Sequence, residues 1–83
     1  MSKLWHMKLT IKEKQAVWLT IGQNVIAARK KRKVSQEVLA QKAGFSVVFI
    51  GMIERGQRAA PTATLMAIAR ALGIKVTNLV KGL

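Results

Sequence analysis

Residues 35–56 read SQEVLAQKAGFSVVFIGMIERG, and this stretch predicts two short helices around a turn. Ser35 can cap the first helix, over residues 36–43, because its side-chain oxygen accepts a hydrogen bond from a backbone N–H that the helix leaves unpaired. Ser46 can cap the second helix in the same way. Gly44 stands where the first helix has to end, since a residue without a Cβ atom enters the left-handed conformation at little steric cost. The stretch therefore predicts a helix, a tight turn and a second helix.

Two helices joined by a short turn that contains glycine are typical of a helix-turn-helix. The residues that carry the pattern are Ser35, Gln36, Glu37, Leu39, Ala40, Ala43, Gly44, Ser46, Ile50, Ile53, Glu54, Arg55 and Gly56. They resemble the DNA-binding domain of the XRE family, which lambda-type phage repressors, Cro proteins and many small bacterial regulators share. The resemblance covers roughly residues 20–83 and implies an all-α fold, a compact lambda repressor-like bundle of about five helices. Residues 1–19 would then be a partly helical N-terminal extension.

Length and charge limit the classes of protein that this chain can form. It has 83 residues, 51% of them hydrophobic, which supports one compact domain. Fifteen Lys and Arg residues against three acidic residues give a formal net charge of +12, which predicts nucleic acid or another anionic surface as partner. No apolar run approaches the ~20 residues that span a bilayer, and the N-terminus lacks a secretory pattern. We therefore expect a cytoplasmic protein with no membrane partner.

The titratable residues argue against catalysis. Cysteine and aspartate are absent, His6 is the single histidine, and only three glutamates are present. General acid–base catalysis needs a pair of suitable groups, and a metal site needs several ligands. We therefore expect no catalytic residues, no metal site and no cofactor, and the protein should not be an enzyme.

Two capping-box spacings, at residues 10–13 and 20–23, precede the motif. They predict one helix over residues 11–19 and another over residues 21–32, and they leave open whether the two are continuous. Further upstream, apolar and polar residues alternate over residues 7–12. This alternation is consistent with an extended arm that pairs with another chain, or with a frayed terminus.

The helix before the motif should bury one face. Trp18, Ile21, Val25 and Ala28 follow the i, i+3, i+4, i+7 spacing of an amphipathic helix. Five consecutive cations at residues 29–33 suit the negative end of the helix dipole. This helix should therefore pack on the core and end in the basic run.

Further helices are expected after the motif. Gly56 should end the second motif helix. Thr62 should cap a helix that runs to Leu72, and Thr77 should cap a last short helix through Val80. The whole domain should thus be helical.

The resemblance also implies which residues would touch DNA, with the helix over residues 46–54 in the major groove. The base-facing residues would be Val47, Val48, Gly51 and Met52. The phosphate contacts would come from Gln36, Lys42, Ser46, Phe49, Arg55 and Arg58. Structural roles would fall to Arg29, Ala40, Gly44, Ile50, Ile53 and Glu54, with Arg29 paired to Glu54.

The implied function is a sequence-specific transcriptional regulator of bacterial or phage type, which binds double-stranded operator DNA as a homodimer. Residues 74–83 and the N-terminal stretch are the candidate dimer surfaces. Val47, Val48 and Met52 depart from the family, which usually places polar side chains there to read base edges. Two interpretations stay open. One is apolar contact with thymine methyl groups together with readout of DNA shape, and the other is an antitoxin-like or adaptor protein that binds a protein partner.

Overall fold

The computed structural model describes residues 8–83, which form four α-helices and one 3-10 helix. The helices are α1 (Ile11–Lys31), α2 (Gln36–Ala43), α3 (Val47–Glu54), α4 (Thr62–Leu72) and the 3-10 helix (Val76–Leu79). This part of the chain contains no strand, which confirms the predicted all-α fold. Ile11 is helical, so an extended arm cannot include it. The other predictions for residues 1–7, including His6, lie outside the described residues.

α1 is one uninterrupted helix of 21 residues. Thr10 begins it with a full capping box: its hydroxyl accepts from the Glu13 N–H at 3.0 Å, and its own N–H donates to the Glu13 carboxylate at 2.8 Å. The second predicted box does not form, because Thr20 lies in the middle of the helix. The buried face continues from Trp18 to Val25, and a break at Thr20 would separate side chains that pack on the same core. The two predicted segments are therefore continuous.

Two predicted caps near the C-terminus are wrong. Pro61, with φ −57° and ψ 161°, takes the N-cap position of α4, and Thr62 is the first helical residue. Likewise, Lys75 precedes the 3-10 helix, and Thr77 lies inside it. The Asn24 side chain of α1 donates to the carbonyl oxygens of Leu79 and Lys81, at 3.0 and 2.9 Å. This side chain of α1 thus supplies the hydrogen bonds that these last carbonyl oxygens require. The C-terminal segment can therefore end as a short 3-10 helix.

The core lies between all five helices. Its largest fully buried side chains are Val25, Leu39, Ile50, Ile53, Ile68 and Leu79. Burial of each such side chain is worth roughly 1.5–3 kcal/mol, so these contacts are the main source of stability in a domain of this size. Trp18 and Ala28 are partly buried against this cluster, and the predicted inner face of α1 is the observed one.

Backbone contacts at two glycines hold α1 against the end of α3. A Cβ atom on Gly22 would clash with the carbonyl oxygen of Ile53 and would lie 2.6 Å from that of Glu54. Gly56 has φ +71°, and its own Cβ would lie 2.8 Å from the Leu19 Cα atom. Side chains at these two positions would force the helices apart. The position of α3 on α1 therefore requires glycine on both sides of the contact.

The first prediction follows from this contact. Gly22→Ala should lower the free energy of unfolding by about 1–3 kcal/mol, because the new methyl group overpacks a rigid backbone contact. The direction is informative, since Ala is normally favoured over Gly inside a helix by about 0.8–1.0 kcal/mol. Gln23→Ala, at the exposed neighbouring position, should change stability by less than about 0.5 kcal/mol. Urea denaturation of both variants measures the difference, and a Gly22→Ala protein as stable as the parent would contradict the contact.

Candidate nucleic-acid interface

The turn between α2 and α3 is built as the sequence pattern predicts. Gly44 adopts φ +81°, and its N–H donates to the Ala40 carbonyl oxygen at 2.9 Å. The Phe45 N–H donates to the same oxygen at 2.9 Å. Ser46 then caps α3, because its hydroxyl accepts from the Phe49 N–H at 3.1 Å. These contacts fix the direction in which α3 leaves the turn.

A buried carboxylate joins the three helices around the motif. Glu54, at the end of α3, has a side chain only 3% exposed. Arg29 of α1 donates to it twice, from Nε at 2.7 Å and from Nη2 at 3.2 Å. Gln36, at the start of α2, donates its Nε2 to the same carboxylate at 2.7 Å. Arg29 also donates to the Val34 carbonyl oxygen at 3.1 Å, so the α1–α2 connection is tied to the same pair.

Gln36 therefore has a role that the sequence pattern did not reveal. Its side chain was expected at a phosphate, and the structure directs one of its two amide hydrogens to Glu54. An amide nitrogen carries two N–H donors, so one remains for another acceptor. No local signal indicates this contact, because Gln36 and Glu54 are 18 positions apart.

The outer face of α3 is apolar. Val48 is 66% exposed and Val47 is 38% exposed, while Met52 is half-buried. Gly51, which was predicted to face the bases, is buried. The nearest atom to a Cβ built on Gly51 is Nη1 of Arg55, at 3.1 Å. The guanidinium group of Arg55 thus covers the place where a side chain at position 51 would be.

Phe49, which was predicted to contact a phosphate, supports a cation through its ring. Its backbone N–H is already bonded to Ser46, so that donor is not free. Its ring lies against the Phe45 ring, with centroids 5.0 Å apart and planes inclined by 55°. The Arg58 guanidinium carbon lies 5.3 Å from the Phe49 ring centroid, within the range of a cation–π interaction. Phe49 therefore helps to place Arg58 beside α3.

Three exposed cationic side chains belong to α3, to the loop after it and to α2, the helix before it in the chain. Arg55 is exposed, and its Nε donates to the Gln57 side chain at 3.0 Å. Arg58 is exposed in the loop after α3, and Lys42 is exposed in the last turn of α2. Ser46 is exposed as well, next to the start of α3. Arg55 and Arg58 place positive charge against α3, and Lys42 adds charge on α2; these three cations are called the cationic rim below.

The remaining residues expected to be structural lie inside the domain. Ala40, Ile50 and Ile53 are buried, and Glu54 is buried beside them.

Within residues 8–83, no group of His, Cys, Asp and Glu side chains could hold a metal ion. In the same part of the chain, no helix is both long enough and apolar enough to cross a membrane.

Comparisons with known proteins agree with this geometry. A family model described as helix-turn-helix, HTH_3, matches residues 25–79. An immunity repressor protein of Bacillus phage phi105 is 44% identical over 62 residues, which is 75% of this chain. That match spans only 43% of the phage repressor, so the chain corresponds to less than half of that relative.

Two further relatives are a control protein and a controller protein by name. Control protein C.SmaI of Serratia marcescens is 36% identical over 59 residues, or 71% of this chain and 70% of that protein. The crystal structure of the restriction-modification controller protein C.AhdI from Aeromonas hydrophila superposes with a TM-score of 0.75 at 33% identity. That superposition covers 77% of this chain and 97% of the controller.

The second prediction concerns the buried carboxylate. Glu54→Ala should lower the free energy of unfolding by about 3–5 kcal/mol, because Arg29, only 14% exposed, would lose its charge partner. Glu37→Ala removes an exposed acid from the first turn of α2 and should cost no more than about 1 kcal/mol. Chemical denaturation at one pH compares the two variants. Equal losses would contradict a special role for Glu54.

Proposed function

Because the chain belongs to the helix-turn-helix family of DNA-binding transcriptional regulators, which are not enzymes, we propose that it binds operator DNA as a homodimer with α3 in the major groove. It would act in the cytoplasm of a bacterium, on a bacterial or phage operator. The single observation that carries the proposal is the exposed outer face of α3 with cations around it. A major groove about 12 Å wide admits one helix, and its two edges are rows of phosphates.

The cationic rim fits the phosphate backbone. Arg58 is held over Phe49, so less of its side-chain freedom is lost when it binds a phosphate. Lys42 and Arg55 present further positive charge from two other elements. The Ser46 hydroxyl accepts the helix-capping bond with its oxygen and keeps its own hydrogen for a phosphate oxygen. Such contacts set the position of the protein on the duplex and carry no sequence information directly.

The free amide hydrogen of Gln36 is the remaining phosphate donor. Gln36 begins α2, whose first backbone N–H groups carry partial positive charge. The bond to Glu54 fixes the side chain, so the second N–H points in a set direction. A phosphate at the start of α2 would therefore meet a donor that is already ordered.

The C-terminal segment, one of the two candidates for dimerisation, packs on the middle of α1. The Asn24 side chain holds the carbonyls of Leu79 and Lys81, and Gly82 lies close to Thr20. The C-terminal segment therefore lies against α1. α1 begins at the exposed apolar residue Ile11, and the C-terminal segment contains the exposed apolar residue Leu83. A two-fold interface uses the same patch on both copies, so each such side chain would contribute twice. Two copies would place their α3 helices in successive major grooves about 34 Å apart.

A second candidate function is binding of a protein partner through the same face. The observation in its favour is the contiguous apolar surface of Val47, Val48 and Met52. Replacing the three residues with Gln separates the two functions. If non-specific DNA binding is retained and a protein partner is lost, the protein is an adaptor or antitoxin-like molecule. If sequence-specific DNA binding is lost, the regulator is supported.

The third prediction tests the phosphate contacts. Arg58→Ala should weaken binding to random and selected duplexes by a similar factor, because a phosphate contact is independent of sequence. The slope of log K against log salt concentration should decrease in magnitude by about 0.9 for each bound protomer, and therefore by about 1.8 for the dimer. Lys75→Ala removes one charge beside the 3-10 helix, which packs on α1 and α4, and should leave the slope unchanged. Fluorescence anisotropy across a salt series measures both, and equal slopes for the two variants would count against the Arg58 contact.

The fourth prediction tests the dimer. Sedimentation velocity of the parent protein should show a concentration-dependent dimer. The double substitution Ile11→Glu and Leu83→Glu should raise its dissociation constant at least about tenfold, which corresponds to ~1.4 kcal/mol. The matched control carries Val38→Glu and Met66→Glu, which change exposed apolar residues on α2 and α4. A parent that stays monomeric at high concentration, with and without DNA, would rule out the homodimer.

A further inference from the structure

The first turn of α3 presents only hydrocarbon to its surroundings. Val47 and Val48 are exposed, and neither side chain can donate or accept a hydrogen bond. At the next outward position Gly51 has no side chain, and Arg55 covers it. The free guanidinium donors of Arg55 therefore lie about one turn away from the valines, near the C-terminal half of α3. The side chains of Val47 and Val48 therefore cannot read bases through hydrogen bonds.

The charge around this face favours DNA over a protein as its occupant. Lys42, Arg55 and Arg58 are all exposed cations at the rim, and the chain as a whole carries +12. If an apolar protein surface covered the valines, it would also remove these cations from water. No negative charge would compensate for their lost hydration, which is unfavourable. The major groove combines phosphates at both edges with an interior that contains apolar groups. It therefore matches both the rim and the centre of the face.

The apolar group that the major groove displays is the C5-methyl group of thymine. Cytosine has hydrogen at the same carbon, and methylation at C5 gives it the same apolar group in the same place. We propose that Val47 and Val48 read pyrimidine C5-methyl groups, so that the half-site carries thymine opposite them and 5-methylcytosine can replace it. This inference rests on the proposed binding of α3 in the major groove. It makes the two valines specificity determinants and makes recognition responsive to cytosine methylation.

The size of the effect follows from the area that one methyl group buries. A methylene-sized apolar group is worth ~0.8 kcal/mol when it is buried, which corresponds to about a fourfold change in affinity. Loss of one thymine methyl group against Val48 should therefore weaken binding about fourfold. If both valines make such a contact in a half-site, the two factors in affinity multiply.

The experiment begins by selecting preferred duplexes from a random pool with the 83-residue protein. Each thymine of the selected half-site is then replaced by deoxyuridine, which removes only the C5-methyl group and keeps the hydrogen-bonding edge. Anisotropy titrations should show about a fourfold loss at one or two positions. At those positions, replacement of the A·T pair by G·C should weaken binding, and methylation of that cytosine at C5 should restore most of the loss. Readout of DNA shape alone would not show this pattern.

Protein variants assign the effect to the valines. Val48→Ala should abolish the difference between thymine and deoxyuridine at one position, in a double-mutant cycle between protein and DNA. Val48 is 66% exposed, so this change should leave the fold intact, which thermal unfolding by circular dichroism checks. Val38→Ala, at an exposed valine of α2, should leave the difference unchanged.

The outcomes separate this inference from the proposed function. A selected sequence that is insensitive to deoxyuridine at every position would overturn the methyl readout while the regulator stands. Sensitivity that persists in Val48→Ala and in Val47→Ala would overturn the assignment to these residues. Absence of DNA binding at low salt would overturn both proposals and would favour the protein-partner function of the same face.

Discussion

The carboxylate of Glu54 is the interaction on which the arrangement of this domain depends. Glu54 is the last residue of α3, and its carboxylate accepts hydrogen bonds from Arg29 of α1 and Gln36 of α2. An isolated buried carboxylate would be strongly unfavourable, so the carboxylate is tolerated only when both partners are in place. Any rotation or shift of α3 would break at least one of these bonds. The network therefore specifies one position of α3, whatever its net contribution to stability.

The glycines of the α1–α3 contact complete this constraint. Gly22 lets the backbone of α1 approach the last carbonyls of α3, and Gly56 lets the chain turn away beside Leu19. Hydrogen bonds on one side and backbone contact on the other leave α3 little freedom to move. A rigid base is what a reading helix needs, because base edges are distinguished by differences of position well below the width of a side chain. Stability and function thus depend on the same few atoms.

In the proposed complex with DNA, different residues carry the two tasks of binding. Arg58, Arg55 and Lys42 are exposed and would supply attraction that is independent of sequence. Val47 and Val48 are exposed and apolar, and they would discriminate only through shape and apolar contact. Phe49 links the two groups of residues, because it belongs to α3 and its ring contacts the guanidinium group of Arg58. This division accounts for a strongly basic protein whose reading helix has no polar side chain at its first turn.

The sequence by itself determined the helical fold and the position of the motif. Ser35, Gly44 and Ser46 act through neighbours within a few residues, and local capping and turn chemistry can be read without knowledge of the rest of the chain. The periodic face of α1 was predictable for the same reason. Local patterns gave wrong predictions where a distant group determined the structure. Thr20 stays within α1 because the buried face of the helix continues past it. The C-terminal segment needs no cap at Thr77 because Asn24 donates hydrogen bonds to its carbonyl oxygens. Only the tertiary structure decided that Gln36 bonds to Glu54, that Arg55 covers Gly51 and that Phe49 carries Arg58. Side-chain directions on a surface depend on which other elements come close, and no spacing along the chain encodes that distance.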